Sequence, residues 1–277
     1  MPIYKQAVNH NVTLGRWLKF QMRDALVKLL TRDKEIKINR AHPVFIVGCG
    51  HSGTTLLADR LGLHPHVHTI RQETNIFLPS RLRSAASDWL SHSLDLVSDI
   101  GKHVLIEKTP KHVHAIEDIL RVCPQAVILG LSRNPLDNIG SLKRRFGAID
   151  LCIDRWMIDN CALLDATEKG QVETIKYESL VSNYNYVIAS VFDKIGVEPL
   201  DADWIEERAK KRELVPKNEN QKIRYAEVSR QIENKIGFSA SYLTNEEKDV
   251  ILERTHSVSE RLGYSKDFLN DLKGKNR

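Results

Sequence analysis

The chain has 277 residues, 42% of them hydrophobic and 28% charged, with a formal net charge of +5. This composition excludes a disordered or fibrous chain and suits one large α/β domain. It contains no 18-residue apolar run, long Lys/Arg block or basic-aromatic stripe, so neither a transmembrane segment nor a nucleic-acid partner is expected.

Residues 1–42 read as an N-terminal helix and connector, ahead of a single domain over 43–277 (a cofactor core over 43–200, a helical C-terminal part over 201–277). Residues 1–15 lack a signal-peptide pattern, and the cysteines Cys49, Cys123, Cys152 and Cys161 form no CxxC pair, so reduced thiols in a cytoplasmic protein are expected and the Asn11-Val12-Thr13 sequon is silent. The segment 16–31 carries Trp17, Phe20, Leu26, Leu29 and Leu30 among basic residues. It reads as a helix lying beside the domain; a membrane-surface helix is the alternative.

Val44 to Val47 read as a buried parallel strand, followed by the turn Gly48-Cys49-Gly50-His51-Ser52-Gly53 and a helix opening at Thr54 and Thr55. Such a turn aims free backbone N–H groups and a helix dipole at one spot, which suits an anion of phosphate size. The spacing approaches that of an ATP-binding P-loop, G-x-x-x-x-G-K-[ST], but Thr54 stands where the lysine should be, so the loop is poorly built for Mg-ATP.

Further strands are expected at His66 to Ile70, Val104 to Ile106, Ala126 to Leu131 and Val172 to Lys176. Helices are expected at 76–100, 111–122, Leu136 to Phe146, 152–168, 183–195 and near 244–262. This alternation predicts a three-layer α/β fold, a mostly parallel sheet flanked by helices, with the ligand beyond the carboxyl ends of the strands. His51 to Thr55, Glu73, Lys108, Arg133 and Tyr177 lie just past those ends. Ser141 and Arg145 are four apart on the helix after Arg133 and share its face, so with Arg133 they can form a fork for a second phosphate. The plainer alternative is a solvated basic face, since Lys143 and Arg144 lie there too. His64, His66 and His68 could share a strand face toward zinc, but Pro65 interrupts the run, and scattered surface and core histidines are the preferred reading.

These residues together resemble the sulfotransferases that use 3′-phosphoadenosine 5′-phosphosulfate (PAPS). Gly48-Cys49-Gly50-His51-Ser52-Gly53-Thr54-Thr55 is similar to the family's 5′-phosphosulfate loop, G-x-x-[RK]-S-G-T-[ST]. Arg133-Asn134-Pro135-Leu136-Asp137, with Ser141 and Arg145 eight and twelve residues from Arg133, resembles its 3′-phosphate motif in the tyrosylprotein and bacterial branch. His64-Pro65 followed by Glu73-Thr74 resembles the segment carrying the catalytic glutamate, with about one extra residue. Glu107-Lys108-Thr109-Pro110 resembles the segment that supplies a lysine to the sulfuryl group, and Tyr177-Glu178-Ser179-Leu180 the one whose tyrosine helps to hold the cofactor. Lys235-Ile236-Gly237 is a candidate for the late adenine-side loop.

The resemblance implies a P-loop NTPase-like sulfotransferase fold in a bacterial protein. It implies in-line transfer from PAPS to an acceptor hydroxyl or amine, leaving adenosine 3′,5′-bisphosphate and requiring no metal. Glu73 is then the general base, with Lys108 and His51 stabilising charge. Gly50, His51, Ser52, Gly53, Thr54, Thr55, Arg133, Ser141, Arg145 and Tyr177 hold the cofactor. The loop's usual Arg or Lys is His51 here, which makes a non-catalytic nucleotide-binding module one alternative; a P-loop phosphotransferase or NTPase is the other. For Lys108 the plain alternative is a salt bridge to Glu107 or another acid. The acceptor class stays open among protein tyrosine, sugar, lipid and small molecule.

Overall fold

A five-stranded, wholly parallel sheet in the order β2-β3-β1-β4-β5 forms the middle layer of the computed structural model, which describes residues 41–78, 83–212 and 234–274. The strands are β1 (His42–Gly48), β2 (Val67–Thr69), β3 (Val104–Lys108), β4 (Val127–Ser132) and β5 (Glu173–Lys176). β1 is central, pairing with β3 through Ile46 and Lys108 and with β4 through Gly48 and Leu131. The carboxyl ends of these three strands therefore lie side by side.

The period-2 alternation of β1 sends its side chains to two different cores. Phe45 and Val47 pack with Leu105 and Ile128 under α2 (Arg83–Asp99), α3 (Ile116–Val122) and α5 (Ile149–Glu168). Val44 and Ile46 pack with Ile106, Leu129 and Leu131 on the other face. That face is covered by α1 (Thr54–Leu61), α6 (Tyr177–Ser182), α7 (Tyr184–Lys194) and α8 (Ala202–Lys211). Each fully buried side chain of this size contributes about 1.5–3 kcal/mol. A third core joins α4 (Pro135–Phe146) and α5 to α9 (Asn245–Arg261) and α10 (Lys266–Gly274) around Trp156, Ile139 and Leu243.

The expected strands are all present, with ends displaced by one or two residues. The helix expected over 111–122 is divided into a 3₁₀ turn, Pro110–His114, and α3. Tyr177 to Leu180, which follow β5 directly, lie in helix α6. α8 and α10 give definite elements to the polar C-terminal region. The expected N-terminal helix and the sequon lie outside the described residues. Among the described residues no helix is long and apolar enough to cross a membrane.

Candidate active site

The loop between β1 and α1 turns on two left-handed positions. Gly53 has φ +99°, and a Cβ there would stand 2.6 Å from the Tyr177 ring, so the position requires glycine. His51 adopts φ +69° with a side chain present, a conformation uncommon outside glycine. The loop is tied down from outside: Asn138 Nδ2 on α4 donates to Gly50 O at 2.8 Å, and Arg133 Nη1 to His51 O at 3.4 Å. Ser52 Oγ and Arg133 Nε are buried and have no hydrogen-bond partner among the described residues. Buried polar atoms are almost always paired, so two orphans beside a helix N-terminus fit an anion.

Arg133 ends β4 almost fully buried, its guanidinium stacked 4.2 Å from the centroid of Tyr177. Trp156 Nε1 holds its backbone oxygen at 3.2 Å. Ser141 faces the loop and meets His51 Nδ1 at 2.8 Å. The imidazole is thus turned toward the Arg133–Ser141 side, 6.3 Å from the ring of Phe146. Arg145 lies on the exposed side of α4 with its guanidinium 5.4 Å from Phe146. Of the expected fork, Arg133 and Ser141 both reach the loop, whereas Arg145 stays on the solvated face with Arg144.

Glu73 Oε1 receives a hydrogen bond from Lys108 Nζ at 2.9 Å, across 35 residues of chain. Lys108 is pinned in the sheet by its pairing with Ile46, and Glu73 is partly open to solvent. The lysine's partner is Glu73 rather than its neighbour Glu107. Successive residues of a strand point to opposite faces, so Glu107 turns into the apolar core beneath Phe45 and Phe77. There it is fully buried and meets His112 Nδ1 at 3.0 Å. Burial alone would raise its pKa; the His112, Thr109 and Thr74 hydrogen bonds and the His112 ring pull it below the usual carboxylate value.

Three features of the site were not visible in the sequence. Asp137, buried in the first turn of α4, accepts from the backbone N–H groups of Gly237, Ser239 and Ala240 at 2.7, 2.8 and 3.0 Å. The late loop around Gly237 is thereby docked on the helix that follows Arg133. Glu178 accepts from Asn134 N, Asn134 Nδ2 and Tyr264 OH, joining β4, α6 and the C-terminal region. Arg155 on α5 places Nη2 2.7 Å from where a Gly50 Cβ would stand, a cation against the loop that lacks its usual Arg or Lys. Burial, and after it the neighbouring Asp159, pushes the Cys49 thiol of the same loop well up, and burial likewise raises Cys152 and Cys161. His64 is committed to local structure, its Nδ1 accepting from His66 N and its Nε2 donating to Glu198 O, and no group of three or more candidate metal ligands occurs among the described residues.

Residues 81–202 match the model of the Sulfotransferase family, a span that includes Lys108, Arg133, Ser141, Arg145 and Tyr177 and leaves out the loop and Glu73. The sulfotransferase domain of the Synechococcus PCC 7002 olefin synthase superposes with TM-score 0.59 at 17% identity, covering 85% of this chain and 99% of that one. Mouse sulfotransferase SULT7A1, solved with PAP, superposes with TM-score 0.51 at 14% identity over 91% of this chain and 93% of that one. Sulfotransferase STF9 from Mycobacterium avium gives 0.50 at 11% identity over 95% and 84%. At these identities the likeness is one of fold. No curated protein sequence matches the chain. The sequence over residues 81–202 thus matches the Sulfotransferase family, and the fold of the chain is the one seen in sulfotransferases.

Proposed function

We propose that the protein transfers a sulfuryl group from PAPS to an acceptor hydroxyl or amine, with Glu73 as general base. The observation that carries this reading is the Glu73–Lys108 pair at the end of β3, beside a phosphate-type loop whose buried Ser52 Oγ and neighbouring Arg133 Nε have no partner among the described residues. Bound there, the donor would supply the sulfuryl group by in-line displacement, its S–O bond to the 5′-phosphate breaking as the acceptor–sulfur bond forms. The loop N–H groups from Gly50 to Thr55, apart from that of Ser52, which donates to Cys49 O, hold the anion at the positive end of α1 with the hydroxyls of Ser52, Thr54 and Thr55. Arg133 and Ser141 read a second anionic group, the 3′-phosphate, and Tyr177 flanks it through its contact with Arg133. Lys108 keeps a positive charge at the strand end, and Glu73 takes the proton that the acceptor gives up.

His51 acts from the Ser141 side, bridging the loop to the Arg133 subsite. Arg145, exposed beside Phe146, joins the 3′-phosphate site by a side-chain movement toward it. The acceptor is an alcohol, phenol or amine that brings its donor atom to Glu73.

Thermal shift tests the donor class. Adenosine 3′,5′-bisphosphate at 100 times its Kd should stabilise by about 2.7 kcal/mol, read as a rise of a few degrees in Tm. Stabilisation by Mg-ATP alone would overturn the reading in favour of a phosphotransferase. Incubation with ³⁵S-labelled PAPS and a panel of tyrosine peptide, sugar, sterol and phenol acceptors then separates an enzyme from a module that only binds nucleotide.

A further inference from the structure

The turn that carries Glu73 has almost no support from its own backbone. Four consecutive N–H groups are held instead by side chains. Thr74 N donates to Glu107 Oε1 at 3.3 Å, Asn75 N to Thr109 Oγ1 at 3.4 Å, Ile76 N to Thr74 Oγ1 at 3.3 Å and Phe77 N to His112 Nε2 at 3.3 Å. The two threonine hydroxyls are themselves donors to Glu107 Oε1, Thr74 at 2.8 Å and Thr109 at 2.6 Å. Asn75 is held in the left-handed region, φ +53°.

The bonding pattern also sets the proton positions. Because His112 Nε2 accepts from Phe77, the ring proton sits on Nδ1 and is donated to Glu107 Oε2 at 3.0 Å. Glu107 therefore receives donors at both oxygens, as an ionised carboxylate does. Glu107 and His112 are both completely buried, and their neighbours are the rings of Phe45 and Phe77. Taking a carboxylate out of water costs several kcal/mol, and an apolar pair would fill the same space without that cost. What the polar pair adds is direction: it sets the path of residues 74–77 relative to Lys108, the next residue along β3.

We propose that Glu107 and His112 are positioning residues for Glu73, fixing the turn so that its carboxylate stands at the lysine. This rests on the reading of Glu73 as the base. Neither residue touches donor or acceptor. Their effect passes through the turn, and a misplacement of about 1 Å can cost about 100-fold in rate.

Glu107→Gln tests this directly. The amide cannot receive donors at both ends. With its NH₂ toward the threonines it opposes three donors; with its NH₂ toward His112 it drives the ring proton to Nε2, against the Phe77 N–H. Hydrogen exchange at residues 74–77 should accelerate, kcat should fall by about 100-fold, and binding of adenosine 3′,5′-bisphosphate should stay within about threefold. In a Glu73→Gln background the same substitution should cost almost nothing further, because the group it positions is gone. A merely structural role would give equal losses in both backgrounds, and that result would overturn the proposal. So would unchanged kcat after the amides have been released. Thr74→Val, which removes one bridge and keeps the core shape, serves if Glu107→Gln fails to fold. A smaller loss with the same non-additivity is expected, and an additive loss overturns the proposal. A wild type that transfers nothing from labelled PAPS to any acceptor of the panel overturns the sulfotransferase reading itself, and this role with it.

Discussion

Lys108 and Glu73 meet at 2.9 Å, with the lysine side chain almost fully buried and the carboxylate partly in water. Such a pair suits a base that must be ionised to accept a proton and a cation that must remain charged beside it. Glu73→Gln keeps the volume and removes the proton acceptor. Its kcat should fall by about 10²–10⁴-fold while adenosine 3′,5′-bisphosphate binds as before, a split that steady-state kinetics and calorimetry read together. Arg133→Ala should weaken adenosine 3′,5′-bisphosphate far more than adenosine 5′-phosphate, since a charge-assisted bond contributes about 1.5–3 kcal/mol, roughly 10–150-fold in Kd. Equal losses for the two nucleotides would remove Arg133 from the 3′-phosphate.

At the level of elements, the junction of α4 with the late loop stands out. Asp137 caps nothing at its own helix; its carboxylate collects three backbone N–H groups about a hundred residues away, and Asn134 supplies a fourth donor at 3.0 Å. Asn134 performs the capping, accepting from Asp137 N at 2.9 Å. Asp137→Ala would leave those N–H groups without their acceptor, at about 1–3 kcal/mol for each group left buried and unmade. A lower Tm and faster hydrogen exchange over residues 237–240 are the expected outcomes. α4 is thus fixed at both ends of the site, to the loop through Asn138 and to the C-terminal region through Asp137.

For the whole molecule, the buried titratable groups set how stability responds to acid. The Glu107 pKa is depressed on folding, so the unfolded chain binds its proton first. Its contribution is full above about pH 4.5, the unfolded value, and is lost as pH falls through the lower folded value. His42 is also depressed, through burial and through the neighbouring His103 despite its bond to Ile195 O. Stability therefore begins to fall as pH drops below about 6.5. Denaturant midpoints measured from pH 7 to pH 3 should begin to fall near pH 6.5 and fall further below pH 4.5. Glu107→Gln should flatten the lower part of the decline, and His42→Gln the upper part. A decline unchanged by either substitution would place the acid sensitivity elsewhere.

The order of strands and helices, the parallel sheet and the turn at Gly48 to Gly53 follow from the sequence alone, because apolar runs, glycine and proline act over short range. Those local signals also place Glu73, Lys108 and Arg133 at strand ends, where a parallel sheet presents its chemistry. They could not show that Lys108 pairs with Glu73 and that Glu107 turns inward, that Asp137 holds the loop at Gly237, or that Arg145 stays at the surface while Arg155 lies against Gly50. Each of these joins side chain to backbone or side chain across tens of residues, with no period or spacing to announce it. Only the tertiary fold brings those groups within hydrogen-bonding distance. The short turn at Gly48 to Gly53 is legible from its glycines as a tight strand-to-helix turn, but which way the His51 ring faces is decided by the position of Ser141 on α4.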